Sequence, residues 1–139
     1  MILLDTNVLS EPLRPEPDIR VIAWIDAQPL ETLFLSAITV AELRAGVALL
    51  PAGKRRTGLG TGLEKQVLPL FAGRVLPFDL ACAQAYAALM ANARATGLAI
   101  ATADGYIAAI AAANGFTVAT RDTGPFEAAG VAVINPWQM

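Results

Sequence analysis

Histidine is absent from this 139-residue chain, and cysteine occurs once, at Cys82. The first absence removes every Ser-His or Cys-His catalytic scheme, most zinc sites and the commonest general base. The second excludes an internal disulfide and any cysteine-paired metal site. Cys82 lies in an alanine-rich helical stretch, where a buried small hydrophobe is a better reading than a nucleophile. Charge is scarce too, at 16% of residues against 55% hydrophobic. Yet the uninterrupted apolar runs, such as Ile107 to Ala113, fall far short of the roughly 20 residues of a membrane helix. The amino terminus, MILLDTNVLSEPLR, has no basic segment ahead of its apolar stretch and meets an acid at Asp5, unlike a secretory signal. The expectation is a cytoplasmic protein with no membrane partner.

What remains for chemistry is carboxylate, with Lys, Ser, Thr or Tyr as weaker candidates. The net charge of −2 comes from 10 basic and 12 acidic residues. By itself it argues weakly against nucleic-acid binding. If four acids hold a metal, 8 acids remain against 10 bases, and overall charge decides nothing.

The chain has the size of one domain, residues 1–139, and alternates short apolar strands with helical stretches. That pattern predicts an α/β fold with a parallel sheet covered by helices. Strands are expected at Ile2–Leu4, Thr32–Leu35, Arg74–Phe78, Phe116–Thr120 and Val131–Ile134. Helices are expected from Asp18 to Gln28, behind a Ser36 N-cap as far as Pro51, and from Asp79 to about Thr96 before Gly97. Another is expected over Ala103–Asn114, with Thr102 as its cap and Gly115 as its end. Residues 51–67, PAGKRRTGLGTGLEKQV, match neither the dinucleotide fingerprint nor the P-loop. They read as a helix–loop–helix connection with a mobile basic loop. Lys54-Arg55-Arg56 reads as a solvated turn, with contact to RNA phosphates or a partner protein as the minority alternative.

In an open parallel sheet, ligands bind at the carboxyl ends of the strands. Asp5 closes the first strand and Asp122 follows the fourth. Glu42 lies in the second turn of the helix after strand two, and Asp104 in the first turn of its own helix. Each has a structural alternative. Asp5 could cap the turn at Asn7, Asp104 could favour a helix start, Glu42 could pair with a nearby base, and Asp122 could serve the turn before Gly124-Pro125. Asp5 is the hardest to dismiss, because an acid ending a buried strand is poorly placed for solvation. If the four meet, two carboxylates about 4 Å apart repel by roughly 4 kcal/mol at an effective dielectric near 20. They must then take up protons or hold a cation. All-oxygen ligands favour Mg²⁺ or Mn²⁺ over zinc, and hydrolysis of phosphodiesters is the chemistry such a centre suits.

The segments MILLDTNVLSE, LSAITVAELRAG, ATADGYIAAIA and VATRDTGPFEAAGVAVINPW, in this order, resemble the PIN-domain nucleases. The nearest likeness is to the VapC toxins of type II toxin–antitoxin pairs, in their FitB-like branch. The resemblance covers essentially the whole chain and implies a PIN-like three-layer sandwich with a five-stranded parallel sheet. It makes Asp5, Glu42 and Asp104 the counterparts of the family's metal-ligating acids. Asp122 holds the fourth position, which in relatives is sometimes Asn. Asn7 and Thr120 are similar to the polar residues that support those acids. Arg121 is a candidate for placing a phosphate, with a structural salt bridge as the equal alternative. One departure is Ala101-Thr102-Ala103, where relatives often carry a proline. The implied activity is Mg²⁺- or Mn²⁺-dependent endoribonucleolytic cleavage, often of transfer RNA. Implied too are a homodimer and a cognate antitoxin that brings the DNA-binding surface for operator DNA and lays a tail in a groove of Leu, Ile and Trp residues.

Two rivals stand beside this. A phosphatase of the haloacid-dehalogenase type also starts with a strand ending in Asp, but it needs an acid where this chain has Asn7. A non-catalytic or degenerate PIN module would act only as partner or regulator in an operator-binding complex.

Overall fold

The computed structural model describes residues 1–139. Five strands, β1 (Ile2–Leu4), β2 (Leu33–Ser36), β3 (Val75–Leu76), β4 (Thr117–Ala119) and β5 (Val133–Ile134), form one sheet in the order β3-β2-β1-β4-β5. Every pairing is parallel, with Leu3 opposite Phe34 on one side and Val118 on the other. The helices are α1 (Thr6–Ser10), α2 (Ile19–Ala27), α3 (Ala37–Ala48), α4 (Lys54–Gly62), α5 (Leu80–Ala95), α6 (Thr102–Asn114) and α7 (Thr123–Ala128). No helix is long and apolar enough to cross a membrane.

Successive side chains of a strand point to opposite faces, and β1 shows the consequence. Leu3 enters a core with Ile107, Ile110 and Phe126 from α6 and α7, whereas Leu4 enters a second core with Val8, Val21, Leu43 and Leu63. The two cores lie either side of the sheet, which gives the three-layer sandwich expected. Cys82 is fully buried in the first core, as its apolar setting suggested.

Local signals placed most of the helices. Asp18, Ser36 and Asp79 are side-chain N-caps, accepting from Arg20, Thr39 and Cys82 N–H respectively. Gly115 ends α6 in the left-handed conformation at φ 69°. Several boundaries differ. Strands three to five are shorter than read, because each keeps ladder bonds only where a neighbour runs alongside. Thr102 is the first residue of α6, and Ala101 occupies the cap position without a side-chain bond.

The larger correction is at residues 51–67. In place of a mobile loop, α4 runs from Lys54 to Gly62 and continues into a π turn over Leu63–Val67. Three glycines weaken the intrinsic helix signal by about 1 kcal/mol each, but packing overrides it. Leu63 is buried in the second core, and α4 packs on α3 so that a Cβ at Gly60 would meet Val47 Cγ1 in ordinary contact at 3.4 Å. Arg44 of α3 adds a two-pronged ion pair to Glu64, at 2.7 and 3.1 Å. Lys54, Arg55 and Arg56 thus form the exposed first turn of a helix.

Candidate active site

Strand β1 lies at the centre of the sheet, and the chain leaves it towards β2 on one side and β4 on the other. This is the switch point at which a parallel sheet opens a crevice at its carboxyl edge. Asp5 stands there. Its N–H extends the ladder to Ala119 O at 2.9 Å, which fixes it beside Thr120. Asp5 Oδ1 accepts from Thr6 N–H, and Oδ2 accepts from the Thr120 hydroxyl, each at 2.8 Å. The capping role open to Asp5 is therefore real, but it occupies only one oxygen.

Around Asp5 the loops and helix starts bring further acids. Asp5, Thr6, Asn7, Ser10, Glu42 and Asp104 line one cleft of about 290 Å³. No Lys or Arg is among its walls. Asp5 is only 5% exposed, and burial, offset in part by its two hydrogen bonds and reinforced by Asp104 and Glu42, pushes its carboxyl up to about 6. Asp104 is raised as well, by burial and by the negative charges of Asp122 and Glu42. Asp122 lines no part of the cleft wall, but its charge reaches Asp104 and its N–H donates to Thr120 Oγ1 at 3.1 Å. The four acids are thus electrostatic neighbours, although no three of them close on a common point at ligating distance. Mg²⁺ commonly takes one or two carboxylates and keeps several waters, so this donor set suits it, and the negative charge in the cleft has no cationic side chain to offset it.

Glu42 makes no ion pair on its helix. Its Oε1 accepts from the Thr6 hydroxyl at 2.7 Å. Asn7 donates to Thr120 Oγ1 at a long 3.5 Å and accepts from Arg121 N–H at 3.3 Å, so its amide supports the loop. Arg121 forms no salt bridge. Its guanidinium lies over the Trp137 ring, 5.3 Å from the centroid. Sequence reasoning missed Thr6, Ser10 and Thr39. Only the position of Thr6 beside Asp5 signalled it, since isolated hydroxyls are common everywhere.

Beside the acids, and sharing Thr6, Ser10 and Glu42 with their cleft, runs a groove of about 450 Å³ between α3, α4 and the turn after α1. Leu13, Leu43, Val47, Leu50, Leu59 and Leu63 line it, with Arg14 and Arg55 among its polar residues. It holds no Ile or Trp.

The PIN domain profile matches residues 2–131. The chain is 70% identical to plasmid stability protein StbB of Pseudomonas syringae pv. tomato over 99% of both chains. It is 65% identical to VapC ribonuclease Y4jK of Sinorhizobium fredii and 62% identical to toxin FitB of Neisseria gonorrhoeae, again over 99% of each. Among solved structures, FitAcB from Neisseria gonorrhoeae superposes with a TM-score of 0.97 at 61% identity, covering all of both chains. FitAB bound to an IR36 DNA fragment gives 0.97 at 60% identity, covering 100% of this chain and 97% of that one. With the fold and these relatives in agreement, the chain belongs to the PIN-domain family and to its VapC toxin branch, close to FitB.

Proposed function

We propose that this chain is an Mg²⁺- or Mn²⁺-dependent endoribonuclease, the toxin of a toxin–antitoxin pair, that hydrolyses RNA phosphodiester bonds until its antitoxin silences it. The observation that carries this reading is the cleft at the switch point that Asp5, Glu42 and Asp104 share, with Asp5 buried and no cation among the cleft residues. Asp5 and Asp104 would be the principal ligands, with Glu42 and Asp122 completing the set or orienting water. Bound there, a divalent ion would supply Lewis acidity towards water and phosphate oxygens. The protein's own contribution is orientation. Thr6 and Thr120 hold both oxygens of Asp5, and Thr6 holds one oxygen of Glu42, which leaves Oε2 for the cleft. Asn7 and Thr120 brace the loop that carries Arg121 and Asp122, and exposed Arg121 would meet a backbone phosphate by leaving the Trp137 ring.

The apolar groove next to the acids suits the apolar face of an antitoxin tail, whose end could then reach the cleft. FitAB is a complex bound to DNA, and by this reading operator DNA reaches the present chain only through the antitoxin. A homodimer belongs to the same proposal. The half-buried stack of Phe78, Tyr86 and Tyr106, with centroids 4.9 to 6.3 Å apart, offers it an apolar face. The site of action would be the cytoplasm, where RNA is translated.

The test is incubation of the purified chain with total cellular RNA and Mg²⁺ or Mn²⁺, beside Asp5→Asn and a chelator control. Discrete cleavage by the wild type alone is expected. Cleavage that survives in Asp5→Asn or in chelator overturns the reading. The phosphatase alternative is disfavoured by Asn7, whose amide is engaged with Thr120 and Arg121 and cannot act as an acid.

A further inference from the structure

Glu42 sits on an exposed turn of α3, where a glutamate ordinarily samples many rotamers. Here it ends a line of three hydroxyls. Glu42 Oε1 is 2.7 Å from Thr6 Oγ1, which is 3.2 Å from Thr39 Oγ1, which in turn is 3.3 Å from Ser36 Oγ. Ser36 and Thr39 are fully buried, and Ser36 Oγ also accepts the Thr39 N–H at 3.0 Å.

The direction of the protons follows from valence. An ionised carboxylate only accepts, and a hydroxyl has one proton to give. Thr6 is therefore committed to Glu42, Thr39 to Thr6, and Ser36 to Thr39. Each bond polarises the next towards the carboxylate. The line starts at the carboxyl end of β2, because Ser36 is both the last residue of that strand and the N-cap of α3. Thr6 is also the residue whose backbone N–H holds Asp5 Oδ1. One residue thus sets the acid from β1 against the acid from α3, and its hydroxyl is aimed from the core.

We propose that Thr39, which does not line the cleft, is a positioning residue for Glu42, acting through the Thr6 hydroxyl to hold Glu42 Oε2 in register with Asp5 for a divalent ion and an RNA phosphate. This rests on the reading of the acidic cleft as a metal-dependent nuclease site. Thr39→Val keeps the shape and the backbone N–H cap, and removes only the hydroxyl. Loss of a group that orients a ligand typically lowers metal affinity or activity about 10- to 100-fold.

The experiment compares wild type, Thr39→Val, Thr39→Ser and Val21→Ala, a core truncation on α2 that serves as a stability control. Mn²⁺ affinity is read by calorimetry without RNA, and kcat and KM are read on a cleaved oligoribonucleotide. Thr39→Val is expected to weaken Mn²⁺ binding and lower kcat by about tenfold, with KM unchanged. Thr39→Ser restores both, and Val21→Ala loses stability without losing Mn²⁺ affinity. If Thr39→Val does not fold, Thr39→Ala against Thr39→Ser carries the same comparison. Wild-type Mn²⁺ affinity and kcat in Thr39→Val overturn the proposal, as does a Thr39→Ser variant no better than Thr39→Val. A wild-type chain that binds no Mn²⁺ instead overturns the nuclease reading and this inference with it.

Discussion

Replacing Asp5 by Asn should stabilise the metal-free protein above neutral pH while abolishing its activity. The Asp5 carboxyl is raised from its ordinary value near 3.8 to about 6 by burial, with Asp104 and Glu42 adding their charge. Below about pH 4 it is protonated in both folded and unfolded chains and contributes no penalty. As pH rises, the unfolded chain releases that proton first, so folding loses stability until the folded group also ionises near pH 6. The full penalty, about 3 kcal/mol, persists above that. For a chain of this length it corresponds to a midpoint lowered by roughly 10 °C. Asn keeps the volume and still accepts from Thr6 N–H. Its amide can donate to Thr120 Oγ1, whose own proton can turn to Asp122 O, 3.5 Å away. Any cost of that exchange is the same at every pH. Other acids titrate oppositely, Glu11 and Asp18 being lowered, so the difference between variant and wild type is the quantity to read. Urea unfolding in chelator, from about pH 4 to pH 8, should show Asp5→Asn gaining on the wild type, with most of the gain between pH 4 and 6. Added Mg²⁺ should close the gap by stabilising the wild type alone. A difference curve flat with pH would refute the argument, and would mean that Asp5 is better solvated than its surroundings imply.

Two other perturbations follow from the same contacts. Glu11 is 3% exposed, takes the Arg14 guanidinium at 3.1 Å and accepts the Asp18 N–H at 3.1 Å. Glu11→Ala orphans that N–H and should cost about 1–3 kcal/mol in urea unfolding. Because its carboxyl is held below the ordinary range, the wild type should lose this advantage as pH falls through that lowered value; a cost unchanged in acid argues against it. Leu59→Glu places a charge in the apolar groove away from the acids. It should weaken capture by an antitoxin tail while RNA cleavage persists, measured by binding to the co-expressed partner and by turnover; unaltered binding would place the tail elsewhere.

Much of the site was legible because it depends on where strands stop. An apolar triplet ended by Asp5, and a second short strand followed by Arg121-Asp122, locate two acids at one edge once the sheet is parallel. The caps at Asp18, Ser36 and Asp79 were legible for a similar reason, since a side chain that satisfies a free N–H acts within three residues of itself. What was not legible depends on partners far along the chain. The helix at Lys54–Gly62 is held by Leu63 in the core and by Arg44 pairing with Glu64, not by its own glycine-rich sequence. The Thr6–Glu42 bond spans 36 positions and the Thr120–Asp5 bond 115, so no local pattern announces either.

The same long-range bonds explain why carboxylates alone can serve a chain without histidine. A surface acid near its ordinary pKa is fully ionised at neutral pH and binds a hard cation weakly, because water screens it. Asp5 instead is desolvated at the end of a strand, where the sheet ladder forbids retreat and Thr6 and Thr120 fix both oxygens. That placement has a cost, since burial and the neighbouring acids push the Asp5 and Asp104 carboxyls upward. On the proposed reading, a divalent ion would relieve it by supplying the charge that no Lys or Arg in the cleft provides. Folding free energy lost to crowding the acids would then be returned on binding, and the affinity gained would depend on how firmly the rest of the sandwich holds the acids together. Loosening the hydroxyls that brace Glu42 should therefore cost metal affinity before it costs stability.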